Sequence, residues 1–233
     1  MAASINRLKA VADMLIKNKA AADIGADHAW LSIYLIENGL APRVIIGELG
    51  DGPLERAVQA VHKNNLQEQV ELRQGNGLQV LEAGEVASIA IAGMGGDTIL
   101  EILAYDWAKA RSFERFVFQP MSKSGVLRRE LASQGWKIIE ERVLQENGRF
   151  FVVIASEPAD IPYELSDLEI DIGPFILKAD NNLKKMFINV YLEKYRRVFS
   201  GLSNSKGGQN QNLLFAYQNK IKGLEAILGV KQG

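Results

Sequence analysis

Cysteine is absent from this chain of 233 residues, and histidine occurs only as His28 and His62. The chain therefore has neither disulfides nor thiolate metal ligands, and two imidazoles are too few for a typical zinc centre. No apolar run approaches the roughly 20 residues that a membrane-spanning helix needs. The first 20 residues form an amphipathic helical pattern without the apolar block and cleavage site of a signal peptide. We therefore expect a cytoplasmic protein that uses no metal and no membrane.

The net charge of −1 hides an uneven distribution along the chain. Residues 1–162 carry 17 Lys and Arg against 21 Asp and Glu, whereas residues 175–233 carry 10 against 3. A basic end of this kind favours contact with a polyanion. A solvated basic face without a partner is the alternative that charge alone leaves open.

Short β-branched segments alternate with helical patterns through the first 135 residues. Near-continuous apolar strands separated by helices indicate a doubly wound α/β fold, whose parallel sheet is covered on both faces. The predicted strands are 21–25, 44–48, 69–74, 87–93 and 115–120, and the predicted helices lie near 29–38, 52–65, 96–104 and 123–134.

The pattern changes at residues 136–157, "WKIIEERVLQENGRFFVVIASE". These residues predict two strands joined at Asn147-Gly148, a strong hairpin signal. They bring the predicted sheet to seven strands, mostly parallel and closed by an antiparallel hairpin. That arrangement is typical of class I, Rossmann-like methyltransferases, a likeness between folds.

A second domain is predicted after an acidic, proline-rich linker that begins near residue 158. We expect a catalytic domain over 1–160 and a helical domain over 161–233. Two apolar stripes at helical spacing flank "SNSKGGQNQN" (203–212) and predict an antiparallel helical hairpin. The stripes are Phe187, Tyr191, Tyr195, Val198 and Leu202, then Leu214, Tyr217, Ile221, Leu224 and Leu228.

All five parallel strands are predicted to end in small or polar residues, at the edge where open α/β sheets bind ligands. The five ends are Gly25-Ala26-Asp27-His28, Glu48, Gly75-Asn76-Gly77, Ala92-Gly93-Met94-Gly95-Gly96 and Gln119-Pro120.

The first of these ends, in "ADIGADHAW" (22–30), indicates which ligand to expect. A dinucleotide's pyrophosphate needs several glycines and a helix N-terminus free of negative charge. This turn offers one glycine, Gly25, and the carboxylate of Asp27. S-adenosylmethionine carries a cationic sulfonium and an amino group instead, which Asp27 suits. The alternative role for Asp27 is to cap the following helix.

Three further strand ends fit an adenosine ligand. Glu48, 23 residues beyond Gly25, is placed to accept ribose hydroxyls, unless it is merely solvated. Asn76, between two glycines, can face an adenine edge or simply form a turn. The segment "IAGMGG" (91–96) predicts a loop that a ligand can approach closely, although Met94 also suits a core.

These segments together resemble the TrmK family, bacterial tRNA (adenine-N1)-methyltransferases that modify adenine 22 in the D-arm. The resemblance rests on "INRLKAVADMLI", "ADIGADHAWL", "GELGDGPLERAVQAVHKNNL", "RQGNGLQVL", "IAGMGGDTI" and "QPMSKSGVLRRELASQGWKIIEERVL". It covers most of residues 4–155 and continues into the helical hairpin. The family usually has Tyr and Pro where this chain has Trp30 and Ser32, so the role of Trp30 toward the target base is an open question.

The resemblance implies binding of S-adenosylmethionine by Asp27, His28, Glu48, Asn76 and Gly93, with tRNA held partly by the C-terminal helices. The full predicted cofactor site is Asp23, Gly25, Asp27, His28, Glu48, Asn76, Gly77, Ala92, Gly93, Met94 and Gly95. The candidate catalytic residues are Asp27, His28 and Met94. The candidate RNA contacts are Arg7, Trp30, Lys184, Lys185, Lys194, Arg196 and Arg197. Asp27 is the first candidate to stabilise a methylated, cationic adenine, and His28 is a second candidate, as general base.

Other functions stay open at this stage. The same cofactor would serve a methyltransferase for a small molecule or a protein, although such an enzyme needs no basic helical hairpin. A non-catalytic RNA-binding protein that retains the fold is a second alternative. A nicotinamide-dependent dehydrogenase is opposed by Asp27 and the missing glycines. We expect a monomer, although the sequence does not determine the oligomeric state.

Overall fold

The computed structural model describes residues 5–204 and 211–229. The chain divides into two compact units, Met1–Glu164 and Leu165–Gly233. The boundary at Glu164 lies four residues beyond the predicted one at 160. None of the helices in the described ranges is long and apolar enough to cross a membrane.

A seven-stranded sheet, in the order β3-β2-β1-β4-β5-β7-β6, forms the centre of the first unit. The strands are β1 Ala21–Ile24, β2 Val44–Glu48, β3 Val70–Gln74, β4 Ser88–Gly95, β5 Arg115–Ser122, β6 Lys137–Glu146 and β7 Arg149–Glu157. The first five strands are parallel, and β7 pairs antiparallel with both β5 and β6. The predicted sheet and its closing hairpin are therefore confirmed. The hairpin turns at Asn147 and Gly148, whose φ angles of 49° and 75° match a type I′ turn.

Helices form most of the crossovers that connect the parallel strands. They are α1 Ile5–Met14, α2 Trp30–Glu37, α3 Asp51–Lys63, α4 Gly96–Ala104, α5 Trp107–Ala110 and α6 Ser124–Ser133, with a 3₁₀ turn at Gly77–Val80. All four residues of β1 are buried, and Ile89, Ala90 and Ile91 of β4 are fully buried. The apolar centre of the sheet thus gives the strand ends fixed positions.

The segment "IAGMGG" differs from the prediction. Instead of forming a loop after residue 93, β4 continues to Gly95. Met94 pairs with Pro120 and Gly95 with Ser122, with shifts of register on either side of Met94. Gly93 has φ +80°, and this left-handed backbone lets the strand bulge and then resume its pairing.

The second unit contains α7 Asp167–Asp171, α8 Pro174–Lys178, α9 Asn182–Ser203 and α10 Gln211–Leu228. Helices α9 and α10 pack together: the rings of Tyr195 and Tyr217 lie 5.7 Å apart. The predicted pair of C-terminal helices is confirmed, while residues 205–210 of the predicted break lie outside the described residues. The predicted linker is partly helical, because Ser166 and Glu169 form a capping box that starts α7.

Candidate cofactor and substrate site

The carboxyl ends of the parallel strands lie side by side, as the sequence predicted. The N–H of Gly75 donates to the carbonyl of Glu48, and the N–H of Gly25 donates to that of Gly47, at 3.0 and 2.8 Å. On the other side of β1, the register continues from Ile24 to Ile91 of β4, and from Ala92 to Gln119 of β5. Adjacent strands are about 4.8 Å apart, so the row from β3 to β5 spans roughly 19 Å.

The turn after β1 is built around Gly25, whose φ is +79°. A Cβ added at Gly25 would lie 2.0 Å from Cε of Met94, so the side chain of Met94 covers this glycine. Ala29, with φ +54°, is the N-cap residue of α2, and α2 has no side-chain cap hydrogen bond. Asp27 is therefore not the helix cap that the alternative interpretation required.

Asp27 instead contacts α3 and its own neighbour. Its Oδ1 accepts a hydrogen bond from Nε of Arg56 at 2.7 Å, and Nη2 of Arg56 lies 2.5 Å away. Its Oδ2 lies 3.4 Å from Nε2 of His28. The ring of His28 stacks on Trp30, with centroids 4.9 Å apart and planes 17° apart. The turn thus presents a half-exposed carboxylate beside a pair of stacked aromatic rings.

Asp23 lies beneath this turn and is buried. The pKa of its carboxyl is raised from 3.8 to about 6, chiefly by burial and to a smaller extent by the nearby charge of Glu48. Ser32 opposes that rise, because its hydroxyl donates to Oδ2 of Asp23 at 3.0 Å and its backbone also bonds to the carboxylate. The departure from proline at position 32 therefore supplies a partner for Asp23.

Glu48 is held by the loop that follows β2. Its Oε1 accepts hydrogen bonds from the N–H groups of Leu49 and Gly50, at 2.9 and 3.3 Å. These bonds orient the carboxylate at the strand end.

The end of β3 carries the next predicted site residues. Exposed Asn76 precedes the 3₁₀ turn, and Gly77 has φ +55°.

A cavity of about 720 Å³ opens beside the row, between β1, β4, β5, α1 and the β6–β7 hairpin. Eight of the predicted site residues line it: Arg7, Asp23, Gly25, Asp27, His28, Trp30, Ala92 and Gly93. Glu48, Asn76, Gly77, Met94 and Gly95 are not among its lining residues. The cavity therefore lies toward β5 and the hairpin, away from the β2 and β3 strand ends.

The prediction missed part of this wall. Gln119 and Met121 of β5, and Asn147, Arg149 and Phe151 of the hairpin, also line the cavity. Gln119 was visible as a polar strand end, whereas no local signal in the hairpin indicates that it folds back to the β1 turn. The missed partner of Asp27, Arg56, lies on α3 in a segment that contributes to the family resemblance, but no local pattern there connects it with the β1 turn.

Arg7 lies in the wall of the cavity. Its Nε is 3.0 Å from Oε2 of Glu146, and its guanidinium carbon lies 4.4 Å from the ring centre of Phe151. Its side chain is only 15% exposed. An RNA phosphate would have to compete with Glu146 for this arginine.

The five predicted basic contacts in α9 differ in what they touch. Lys184 donates to the carbonyl of Ala179, Arg196 pairs with Glu225, and Lys194 lies over the ring of Tyr191. Lys185 and Arg197 are exposed and have no side-chain partner among the described residues. Arg197 follows Lys185 by twelve residues, which corresponds to about 18 Å along the helix.

Comparison with known proteins identifies relatives along nearly the whole chain. A family model described as "Methyltransferase domain" matches residues 5–154. The chain is 35% identical over 227 residues to the tRNA (adenine(22)-N(1))-methyltransferase of Bacillus subtilis, and the match covers 95% of each chain. The chain belongs to this methyltransferase family. The domain match lies within the first unit, and the longer match to the B. subtilis relative extends well beyond it.

Two solved structures of a family relative are also similar. The crystal structure of Streptococcus pneumoniae Sp1610, a putative tRNA (m1A22) methyltransferase, has a TM-score of 0.85 at 30% identity, over 98% of this chain and all of that one. The same protein in complex with S-adenosyl-L-methionine has a TM-score of 0.78 at 30% identity, over 96% and 98% of the two chains. The likeness of fold thus extends to a relative that binds the predicted cofactor.

Proposed function

We propose that this protein transfers a methyl group from S-adenosylmethionine to N1 of adenine 22 in tRNA. The observation that carries the proposal is the cavity beside the β1, β4 and β5 ends, in a chain 35% identical over 95% of its length to an enzyme of that name. The alternative functions, methylation of a small molecule or protein and a non-catalytic role, are distinguished from this one by the experiment below.

The strand ends suit this cofactor chemically. Asp23 and Asp27 offer carboxylates to a cationic ligand, and Glu48 can accept the ribose hydroxyls with the oxygen that the loop N–H groups do not hold. Gly93 leaves open space where a side chain would otherwise project. Asn76 is the candidate for the adenine edge of the cofactor. The site presents carboxylates and an amide rather than a phosphate cradle, which favours this ligand over a dinucleotide.

In this proposal the order of the strands determines on which side of the site the cofactor and the target base bind. Glu48 and Asn76 would hold the cofactor's nucleoside over β2 and β3, because the cavity lies on the other side, toward β5 and the hairpin. A target base that enters this cavity therefore meets the cofactor above β1 and β4. Trp30, stacked on His28 at the cavity wall, offers an aromatic face to an extruded adenine.

The chain's own residues chiefly have to align the reactants and exclude water. When bound, the cofactor would supply a methyl group on cationic sulfur; a nucleophile would bond to the methyl carbon, and the sulfur would leave with the electron pair of the broken carbon–sulfur bond. Adenine N1 attacks with its own lone pair, so His28 need not act as a base. The positive charge passes to the adenine, where the nearby carboxylate of Asp27 can stabilise it.

The second unit supplies the proposed grip on tRNA. Exposed Lys185 and Arg197 are free to neutralise phosphates, whereas Lys184 and Arg196 already bond within the unit. Contacts to phosphate give affinity and register without sequence information. Selection of one adenine would then depend on RNA shape and on the cavity.

The test is transfer of labelled methyl groups to bacterial tRNA that lacks endogenous N1-methyladenine, followed by nucleoside analysis. We expect one labelled product, N1-methyladenosine at position 22, and its loss in Asp27→Ala, which should still fold. Label in another nucleoside or in protein would move the function to another substrate. Cofactor binding without transfer to any tRNA would favour the non-catalytic alternative.

A further inference from the structure

We propose that Gln119 selects adenine as the target base, with its carboxamide paired to N6 and N7 of that base. The proposal rests on the proposed function, because it names how the same cavity distinguishes its substrate. No catalytic step is assigned to Gln119; its role is to recognise and orient the base.

Gln119 lies where β4 and β5 leave their regular register. It is the register partner of Ala92, the last pair before the bulge around Gly93. The residue is 3% exposed, yet it lines the cavity together with Ala92 and Gly93. A carboxamide at this point lies on the β5 side of the cavity, across β4 from the β1 turn that carries Asp27.

The hydrogen bonds of Gln119 leave capacity for a ligand. Its Nε2 donates to the carbonyl of Pro120 at 3.3 Å, which is long for such a bond, and lies 3.5 Å from Sδ of Met121, a weak acceptor. Its Oε1 accepts no hydrogen bond from any described residue. Because no described protein group holds this oxygen and the residue lines the cavity, a ligand that supplies an N–H group can pair with it there.

The reaction restricts how an adenine can be held. N1 has to face the methyl donor, so the edge that carries N1 must stay clear. The base can then be recognised by its faces, by N3 and by the edge that carries N6 and N7, and of these only the last presents the amino group. Glutamine matches that edge, because its carbonyl oxygen accepts from the N6 amino group while its amide donates to N7. Guanine presents an oxygen in place of the amino group and would oppose Oε1.

Other polar groups of the cavity are less suited to this task. Asp23 and Asp27 lie at the β1 turn, on the cofactor's side, and Arg7 is paired with Glu146. Asn147 and Arg149 lie at the exposed tip of the hairpin. Gln119 combines burial, a neutral amide and an unused acceptor. The N6–H···O bond should also strengthen as methylation makes the adenine cationic.

The experiment compares three full-length tRNAs that carry adenosine, purine riboside or 7-deazaadenosine at position 22. Purine riboside lacks the N6 amino group, and 7-deazaadenosine lacks the N7 acceptor. Methyl transfer to each is measured with wild-type protein, Gln119→Met and the control Gln145→Met, an exposed glutamine of β6 outside the cavity lining. Calorimetry of S-adenosylmethionine binding checks that each variant folds and retains the cofactor.

Because purine riboside is also a weaker nucleophile, the informative quantity is the ratio of kcat/KM between adenosine and each analogue. We expect Gln119→Met to lower the adenosine-to-purine ratio about 10-fold or more relative to wild type, since a hydrogen bond to a charged group is lost. Gln145→Met should leave both ratios unchanged. Equal ratios in Gln119→Met and wild type would overturn the proposal while the methyltransferase function stands.

A second variant covers a failure of Gln119→Met to fold. Gln119→Glu keeps an acceptor for N6 but loses the donor to N7, so it should retain the dependence on the amino group and lose discrimination against 7-deazaadenosine. Unchanged discrimination would contradict the proposal. If wild-type protein methylates none of the three tRNAs, the proposed function fails, and the role of Gln119 fails with it.

Discussion

Arg56 of α3 holds the carboxylate of Asp27 in place, with Nε and Nη2 at 2.7 and 2.5 Å from the same oxygen. The other oxygen of Asp27 lies toward His28. The residue with the most prominent predicted role is therefore oriented by a helix that begins 24 positions later in the chain. A cation at this turn meets a carboxylate whose direction is already set.

Replacement of Arg56 by Gln should lower methyl transfer without unfolding the protein. The pair is about half exposed, so its loss should change the free energy of unfolding by no more than about 1 kcal/mol. The freed carboxylate should instead rotate, and we expect kcat/KM to fall by about 3- to 10-fold, equivalent to roughly 1 kcal/mol. Arg129→Gln removes an exposed arginine from α6 and serves as the control. An activity equal to that of the control would show that Arg56 does not position Asp27.

The buried carboxyl of Asp23 should make stability depend on pH. Its folded pKa of about 6 lies above the unfolded value of 3.8, so the folded state binds more protons between those values. The contribution of Asp23 to the stability of the ligand-free protein should therefore decrease as pH rises from about 4 to about 6, by an amount on the order of 2–3 kcal/mol. Denaturation curves should show this loss in wild type and not in Asp23→Asn.

Two variants sharpen the Asp23 measurement. Exposed Asp160→Asn should retain the wild-type profile. Ser32→Ala removes the hydroxyl that lowers the pKa of Asp23, so the upper end of the window should move to higher pH. A stability difference between wild type and Asp23→Asn that stays constant from pH 4 to 6 would contradict the assignment.

Gly25→Ala should strain the backbone of the β1 turn and weaken cofactor binding. A left-handed backbone costs an L-residue about 1–2 kcal/mol, and the new methyl would displace the end of Met94. Gly39→Ala is a matched control, because Gly39 has φ +62° with no atom within 4 Å of the added carbon. We expect similar losses of stability in both variants but weaker cofactor binding only in Gly25→Ala, measured by calorimetry. Adding Met94→Ala should restore part of that binding, and no restoration would argue against the steric explanation.

Neutralising Lys185 and Arg197 together should weaken binding of tRNA to a similar extent whatever the nucleotide sequence of the tRNA. Each lost phosphate contact reduces the steepness of log affinity against log salt by about 1. The slope for the double Gln variant should therefore be shallower than that of wild type by about 2. Filter binding at several salt concentrations measures this slope. Lys63→Gln with Arg129→Gln makes the same charge change on exposed positions of the first unit. If both double variants behave alike, the basic face of α9 does not hold RNA.

The elements that the sequence predicted well are those with a local signal. Apolar β-branched runs marked the parallel strands, and Asn147-Gly148 marked the hairpin. The prediction failed where the signal was short or non-local. The capping box at Ser166 was present in the sequence but lay in a segment interpreted as linker, and Gly93 marked a bulge rather than the end of β4.

The sequence by itself determined the strand order along the chain, the acidic and glycine-containing strand ends, and the basic C-terminal segment. These features depend on neighbouring residues, so a single chain reveals them. Only the tertiary structure decided that Arg56 orients Asp27, that Ser32 bonds to Asp23, and that Gln119 faces the same cavity as the hairpin. Those contacts join residues from different elements, and packing of helices and the hairpin against the sheet determines which of them meet.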